Sequence, residues 1–349
     1  MAAGRVLALR ADATPAIGTG HVMRCIAIAQ EAATRGMRPV LLGTCNVPWL
    51  SELLTSAQIT MTDQPEDAGH LRTRLLDLAP VAVVIDAYHL PTAHYRAAAT
   101  AAPVMAAYDG DIRHAHADVL YDQNIGAEHL ASPPVHGLLL RGPRFAVLRD
   151  DIKALRPADP VQRVLHQSRT PPHVLLVLGG TDARAAAWNL TQALLARIPA
   201  LNLSVVSDDS ANIRALPTGP DQRLDIITPT PDLPQTMAAA DLVISAAGTT
   251  TIELCCLGLP AALIQVVDNQ RPVYEGAVAH GCAEGLGTLD AILAHPDAMA
   301  YRVHRLLTDP ARRAGLALRA WQTVDGNGRQ RILDAVTAAA RPDQHASNT

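Results

Sequence analysis

Short runs of apolar residues alternate with longer segments of helical periodicity along almost the whole chain. In the first half, the apolar runs Arg5–Leu9, Arg38–Leu42 and Val81–Ile85 are separated by stretches such as Val22–Arg35, whose apolar residues recur every three or four positions. Strands that alternate with helices in this way are typical of βαβ units with a mostly parallel sheet. Further strands are predicted at 104–107, 119–121 and 146–147, and further helices near 71–78 and 93–101.

The same alternation resumes after residue 172. Strands are predicted at 173–178, 201–206, 224–227, 241–245 and 261–264, and helices at 183–197, 231–239, 250–257, 271–280, 297–308 and 328–340. Between the two series, Arg149–Pro172 is rich in Pro, Asp, Gln and Arg, which is typical of a connection between domains. We therefore predict an N-terminal Rossmann-like domain over 1–150, a second one over 151–340, and a polar, mobile tail over 341–349.

Length and composition support two α/β domains and exclude some partners. The 349 residues exceed the roughly 250–300 at which a single core stops growing. Aromatic residues are only 3% of the chain and the formal net charge is −4. The chain therefore lacks both the stacking platforms and the basic surface that nucleic-acid-binding proteins use, and we expect no nucleic-acid partner.

The cysteines and the N-terminus bear on the compartment. Five cysteines are widely spread without a CxxC pair, which favours reduced thiols over a disulfide framework or a zinc site. The N-terminal segment lacks the pattern of a signal peptide, and no run approaches 18 uninterrupted apolar residues. We expect a cytoplasmic protein without a membrane segment, as a monomer or weak homodimer.

The densest group of candidate functional residues lies between the first strand and the first helix. Gly18 and Gly20 permit the close backbone approach of a tight turn beside a ligand. His21 follows at the expected start of the helix, where the helix dipole favours a neutral ring that can act as a general base. Arg24, one turn later, is placed to meet a substrate anion or carbonyl. Asp12 either orients His21 or binds the substrate.

Polar residues also follow later strands of the first half. Asp86 and Tyr88 end the strand 81–85, and Asp109 and Asp111 follow the strand 104–107. Ligands of open α/β sheets bind at the carboxyl ends of strands, so these side chains are candidates for substrate contact. The alternation of His114, His116 and Asp118 resembles a metal site, but a solvated loop is the favoured interpretation, and we predict neither a metal nor another cofactor.

Two strand-to-helix turns in the second half are suited to phosphate. Gly180 and Thr181 follow the strand 173–178, and the alternative there is an ordinary turn in which Asp182 caps the helix. The turn Ala247, Gly248, Thr249 and Thr250 opens the helix 250–257, whose first N–H groups are placed to bind a diphosphate.

Three side chains near this second turn are further candidates. Glu253 is positioned to accept both hydroxyls of a ribose, and Asn269 and Gln270 follow the next strand toward the same pocket. The alternative is a well-packed βα unit with an exposed glutamate. The patterns GxxxxGK[ST], GxGxxG, GxSxG and HExxH are absent.

Five segments together resemble a known enzyme family. They are Ile17–Arg24 with the pattern GxGHxxR, Val84–Tyr88, Gly179–Asp182, Ser245–Glu253 and Asp325–Arg331. In this order they are similar to the UDP-sugar hydrolases of pseudaminic acid biosynthesis and their spore-coat polysaccharide relatives. Ser245–Gln270 is also similar, more distantly, to the nucleotide-binding half of the peptidoglycan UDP-N-acetylglucosamine transferase.

The resemblance implies a GT-B fold, in which two Rossmann-like domains enclose a cleft. It implies that His21 is catalytic with Tyr88 assisting, that Glu253 binds the UDP ribose, and that Gly248–Thr250 binds the diphosphate. The implied reaction is metal-independent attack of water on the anomeric carbon of a UDP-linked amino or deoxy sugar, with release of UDP.

Three other functions stay open at this point. A GT-B glycosyltransferase would use the same base to deprotonate an acceptor hydroxyl. A hydrolase could act on a related nucleotide or nucleoside intermediate of secondary metabolism. A binding protein would hold the nucleotide sugar without turnover, although the combination of His21, Arg24 and Tyr88 favours an enzyme.

Overall fold

A computed structural model describes residues 5–14, 17–108, 116–131, 135–166, 170–179, 183–207 and 210–339. The chain divides into two compact units. The first takes its residues from Met1–Gln123, Glu128–Asp150 and Gly326–Thr349, and the second from Asn124–Ala127 and Asp151–Asp325. Each unit is built on one sheet of parallel strands with helices on its faces, as the alternating pattern predicts.

The first unit contains a seven-stranded sheet in the order β3-β2-β1-β4-β5-β6-β7. The strands are β1 (Val6–Arg10), β2 (Arg38–Leu42), β3 (Thr60–Thr62), β4 (Ala82–Ile85), β5 (Val104–Ala107), β6 (Val119–Asp122) and β7 (Leu138–Arg141). The helices that follow the early strands are α1 (Gly20–Thr34), α2 (Pro48–Ser56), α3 (Ala68–Leu78) and α4 (Thr92–Ala99). All neighbouring strands run parallel.

Both faces of this sheet are buried, which explains the nearly continuous apolar runs of its strands. In β1, Leu7 and Leu9 belong to one core layer, which includes residues of α1 and α2. Ala8 points to the opposite layer, with residues of α3 and α4. The alternation of side chains along a strand thus distributes one short sequence between two cores.

The last helix, α15 (Gly328–Ala338), returns to the first unit. Ile332, Leu333 and Val336 are fully buried in the same core layer as α1. The assignment of 151–340 to a single C-terminal domain is therefore wrong for the described residues from 326 to 339. Sequence periodicity locates an amphipathic helix but does not state which sheet its apolar face covers.

A buried arginine fastens this helix to its unit. Arg329, whose side chain is 4% exposed, pairs with Glu31 of α1 across 3.4 Å and with Asp150. It also donates to the carbonyl of Leu148 and to Oε1 of Gln30, both at 3.2 Å. One guanidinium thereby connects α15, α1 and the segment at 148–150.

The second unit contains a six-stranded parallel sheet in the order β10-β9-β8-β11-β12-β13. The strands are β8 (His173–Val177), β9 (Ala200–Val206), β10 (Asp221–Ile227), β11 (Leu242–Ala246), β12 (Ala261–Gln265) and β13 (Glu284–Thr288). The helices are α5 (Asp150–Ala154), α6 (Pro160–His166), α7 (Ala183–Arg197), α8 (Ser210–Arg214), α9 (Leu233–Ala239), α10 (Thr250–Leu257), α11 (Arg271–Ala279), α12 (Leu289–Ala294), α13 (Pro296–Leu307) and α14 (Pro310–Thr323).

The two sheets share one winding scheme. In each, the first strand in sequence lies between the second and the fourth, so the order reverses beside the first strand. Ligands of such sheets bind where the order reverses, at the carboxyl ends of the strands. The relevant edges are the ends of β1 and β4 in the first unit and of β8 and β11 in the second.

Several predicted elements differ from the observed ones. The proposed strand at 146–147 is not a strand, and the supposed connection at 149–172 contains α5 and α6. The sequence patterns also missed β3, β7, β13 and α14. β3 has only three residues and β13 is the glycine-containing EGLGT, so neither has the apolar run that signals a buried strand.

The cysteines carry free thiols in the structure, as the sequence predicts, and four of the five are buried. In the described part of the chain, none of the helices combines the length and apolar character that a bilayer-spanning segment needs.

The contribution of Arg329 to the attachment of α15 can be tested by substitution. In Arg329→Ala, the buried Glu31 carboxylate loses one of its cationic partners and α15 loses its polar attachment. We expect unfolding of the first unit to cost about 3 kcal/mol less, as is typical when one partner of a buried pair is removed. Urea denaturation followed by circular dichroism measures the change.

Arg223→Ala is the matched control, because Arg223 pairs with Asp225 on the surface of β10. Exposed pairs contribute little, so its midpoint should stay near that of the wild type. Equal urea midpoints for Arg329→Ala and Arg223→Ala would show that Arg329 does not stabilise the attachment of α15.

Candidate functional site

The loop between β1 and α1 delivers a histidine to the edge of the first sheet. Gly18 adopts a φ of +84°, which L side chains rarely adopt, and its N–H donates to the carbonyl of Thr14 at 2.8 Å. This turn allows α1 to begin at Gly20. His21 is thus the second residue of the helix, next to the positive end of its dipole.

His21 is bonded to a carboxylate from the neighbouring strand. Its Nδ1 lies 2.6 Å from Oδ1 of Asp86, which follows β4 and is fully buried. Arg24 donates to the same carboxylate through Nε to Oδ2 at 2.6 Å and through Nη2 to Oδ1 at 2.7 Å. His21 and Arg24 meet one partner because residues three apart share a face of a helix.

The charge of Asp86 determines which nitrogen of His21 is available. Burial would raise the pKa of Asp86, but the Arg24 charge and hydrogen bonds, and then those of His21, hold it well below its usual range. In the tautomer that suits this contact, the ring of His21 donates Nδ1–H to the carboxylate of Asp86. The lone pair is then on Nε2, which is the arrangement of a general base held by a carboxylate.

Two tyrosines complete this group. The ring of Tyr88 packs edge-on against His21, with 4.4 Å between centroids, and Nη2 of Arg24 lies 3.4 Å from its hydroxyl. The buried Tyr121, in β6, donates its hydroxyl to Oδ2 of Asp86 at 3.3 Å. Tyr121 was missed from the sequence, because it lies within an apolar strand and resembles an ordinary core residue.

Asp12 belongs to a separate group and does not contact His21. Its Oδ2 accepts from Nη1 of the buried Arg10 at 2.6 Å and lies 3.0 Å from Nε2 of His89. Its Oδ1 accepts the N–H of Thr44 at 2.8 Å. The suggestion that Asp12 orients His21 is therefore wrong, because Asp86 is the carboxylate that does so.

Gly43 makes the contact between Thr44 and Asp12 possible. A Cβ at this position would lie 1.9 Å from the carbonyl oxygen of Ala11 and 3.1 Å from Oδ1 of Asp12. Only glycine lets the end of β2 come this close to the loop after β1. This requirement was also missed, since a single glycine after a strand has many structural explanations.

In the second unit, the turn after β11 has the form of an anion site. Ala247 is buried, whereas Gly248, Thr249 and Thr250 are half-buried at the start of α10. The first N–H groups of a helix point outward and carry its positive dipole end. The Nε2 of Gln270 lies 3.9 Å from the position that a Cβ on Gly248 would occupy.

The remaining candidates of this unit surround the same helix start. The Oε1 of Gln270 accepts the N–H of Val266 at 2.9 Å, which fixes its amide. Asn269 is exposed within the short turn Asp268–Gln270. Glu253 lies half-buried in the first turn of α10. The structure therefore brings the turn and Gln270 together, with Glu253 on the same helix.

Some candidates lie outside the described residues. These are Asp109, Asp111, His114, Gly180, Thr181 and Asp182. Of the suspected metal pattern, Asp118 uses Oδ2 to accept the N–H of Val104 at 2.8 Å, and His116 accepts from Nε of Arg96 at 3.0 Å. Both described members thus have structural partners of their own.

Comparison with protein-family profiles finds no match for this chain. A curated relative from Chromobacterium violaceum, the UDP-N-acetylglucosamine--N-acetylmuramyl-(pentapeptide) pyrophosphoryl-undecaprenol N-acetylglucosamine transferase, is 32% identical over 161 residues. That alignment covers 42% of this chain and 44% of the relative. The chain spans about half the length of the curated relatives it matches.

Solved structures match nearly the whole chain at low identity. MurG of Acinetobacter baumannii superposes with a TM-score of 0.71 at 17% identity, covering 96% of this chain and 99% of MurG. The UDP-GlcNAc 2-epimerase of Neisseria meningitidis bound to UDP-GlcNAc has a TM-score of 0.61 at 13% identity, covering 96% and 100%. Two Rossmann-like domains matching these structures establish the GT-B fold.

The low pKa of Asp86 predicts how acid affects stability. In the unfolded chain an aspartate takes up a proton near pH 3.9, whereas folded Asp86 stays ionised at that pH. Asp86 therefore stabilises the wild type above about pH 4, and this contribution is lost as the pH falls below that value. Asp86→Asn should unfold more easily by about 3 kcal/mol at pH 7, because Arg24 loses its buried partner.

The measurement is urea unfolding of wild type and Asp86→Asn between pH 2.5 and 7. The difference in the free energy of unfolding between the two proteins should be constant above about pH 5 and should decrease below about pH 4. Asp225→Asn, which alters a surface ion pair, serves as the control. A free-energy difference that increases toward low pH would contradict the low pKa of Asp86.

Proposed function

We propose that this chain is a GT-B enzyme that uses a UDP-sugar and releases UDP after attack on the anomeric carbon. The observation that carries the proposal is the His21–Asp86 pair at the end of the first sheet, where Nδ1 and Oδ1 are 2.6 Å apart. The similar proteins support the ligand class, since they include a UDP-N-acetylglucosamine transferase and an epimerase bound to UDP-GlcNAc.

The second unit would bind the UDP. The diphosphate would accept hydrogen bonds from the N–H groups of Thr249 and Thr250, aided by the dipole of α10. The N–H of Gly248 donates to the carbonyl of Ala246 at 2.9 Å and thereby shapes the turn. The carboxylate of Glu253 would accept the two ribose hydroxyls. Gln270, whose amide is held by Val266, would contact the nucleotide sugar beside Gly248.

The first unit would supply the base. Nε2 of His21 takes the proton of the attacking hydroxyl while its oxygen bonds to the anomeric carbon. The bond from that carbon to the diphosphate oxygen breaks, and UDP leaves with the electron pair. Asp86 stabilises the imidazolium that forms, and the N–H groups of α10 stabilise the growing charge on UDP.

Transfer to an acceptor hydroxyl is the function we favour, because the curated relatives are transferases. Hydrolysis is the second candidate, and the pattern GxGHxxR around His21 favours it. The two reactions share the base and the leaving group and differ only in the nucleophile. Under hydrolysis, the substrate class would be a UDP-linked amino or deoxy sugar.

Replacement of His21 tests the base. His21→Ala should release UDP about 10²–10⁴-fold more slowly, the usual contribution of a general base, whereas its affinity for UDP should stay close to that of the wild type. The measurement is coupled detection of UDP over a panel of UDP-sugars, with calorimetry for UDP binding. His166→Ala, an exposed histidine in α6, is the control.

The same assay separates the two functions. Turnover that requires an added acceptor, such as a lipid-linked or free amino sugar, identifies transfer, and turnover in water alone identifies hydrolysis. Wild-type and His21→Ala rates that coincide on every active UDP-sugar would refute the role of His21.

Glu253→Gln tests the nucleotide site independently of catalysis. Loss of a charged acceptor costs about 1.5–3 kcal/mol, so we expect UDP to bind roughly ten- to a hundredfold more weakly. Affinity for inorganic pyrophosphate should change little. The measurement is calorimetric titration, with Glu275→Gln in the neighbouring helix α11 as the control. Equal UDP affinity in the two variants would disprove ribose binding by Glu253.

A further inference from the structure

The structure contains a second histidine–aspartate pair beside the first one. We propose that His89, held by Asp12, contacts a hydroxyl or amide of the sugar that reacts at His21. This inference deepens the proposed function and rests on it. It assigns the pair a role in recognising the sugar, separate from the proton transfer by His21.

The pair is anchored in the interior and ends at the surface. Nε2 of His89 lies 3.0 Å from Oδ2 of Asp12, which is 3% exposed. Asp12 is itself fixed by Arg10, which is 1% exposed, and by the N–H of Thr44. The side chain of His89, in contrast, is 43% exposed. A solvent-accessible ring is thereby attached to a buried ion pair, which limits its conformational freedom.

Both pairs are built from the same two loops. Asp12 lies in the loop after β1 and His21 at the start of α1, whereas Asp86 and His89 come from the loop after β4. Arg10 and Ile85, which precede these loops, are register partners in the sheet. Tyr88 packs on His21, and His89 is the next residue. The two imidazoles therefore belong to one edge of the sheet, at its switch point.

The two aspartates fix opposite nitrogens. Asp86 binds Nδ1 of His21, and Asp12 binds Nε2 of His89. When His89 donates Nε2–H to Asp12, its Nδ1 holds the lone pair and can accept a hydrogen bond from a hydroxyl or an amide N–H. Among the described residues, the contact with Asp12 is the polar contact of the His89 ring, and it engages Nε2. An accessible acceptor in a fixed orientation suits a polyhydroxylated ligand.

The competing explanation is purely structural, with His89 serving only as a polar neighbour of Asp12. Two substitutions separate the explanations. The amide nitrogen of glutamine reaches the position of Nε2, so His89→Gln keeps a polar contact with Asp12 and removes the acceptor at Nδ1. Asparagine is shorter and offers a polar group near Nδ1, so His89→Asn loses the contact with Asp12.

The experiment measures kcat and KM for UDP release by wild type, His89→Gln and His89→Asn. The substrate is the best one among UDP-N-acetylglucosamine, UDP-glucose and other UDP-linked amino sugars. We expect His89→Gln to lower kcat/KM about tenfold, mostly through KM, because one neutral hydrogen bond to the sugar is lost. Its urea midpoint and its affinity for UDP alone should equal those of the wild type.

Each outcome has a separate meaning. If His89→Gln retains wild-type kcat/KM within twofold while His89→Asn only lowers the urea midpoint, the pair is structural and the inference is overturned. If His89→Gln reduces kcat by a hundredfold or more without a change in KM, His89 acts in proton transfer and the inference is also overturned. If wild type releases no UDP from any sugar, the proposed function fails, and the inference fails with it.

Discussion

The candidate catalytic group depends on one buried negative charge. Asp86 has no exposed surface, and its carboxylate accepts two bonds from Arg24, one from Tyr121 and one from His21. An ionised carboxylate is costly to bury unless it is paired and hydrogen-bonded. Asp86 can therefore be buried as an anion only because these donors surround it. In return, its charge orients the His21 ring. Arg24, which the sequence suggested as a substrate contact, is thus engaged with Asp86.

The features that the sequence predicts best are those formed by residues close to one another along the chain. Gly18, His21 and Arg24 lie within seven residues. Their spacing predicts a turn, then the start of a helix, and then two side chains on one face of that helix. The pairing of His21 with Asp86 depends instead on strand order, because β1 and β4 are distant in sequence and adjacent in the sheet. Since Asp12 and Asp86 each follow a strand within two residues, no local pattern states which aspartate meets which histidine.

The same limit explains the misassigned and missed elements. α15 has a clear amphipathic pattern, yet only the tertiary structure reveals that its apolar face covers the first sheet. β3 and β13 lack apolar runs, and they are held at or near sheet edges by pairing with one neighbour. Local propensity is a weak predictor for such strands, because cross-strand contacts decide their conformation.

Because α15 packs on the first unit, the order of synthesis affects the order in which the two units can fold. Both segments of the second unit, Asn124–Ala127 and Asp151–Asp325, leave the ribosome before α15. The second unit can therefore fold while the first still lacks Ile332, Leu333 and Val336. Until then, the α1 side of the first sheet exposes apolar surface to solvent. The candidate base in α1 therefore acquires its final support only after the second unit has been synthesised.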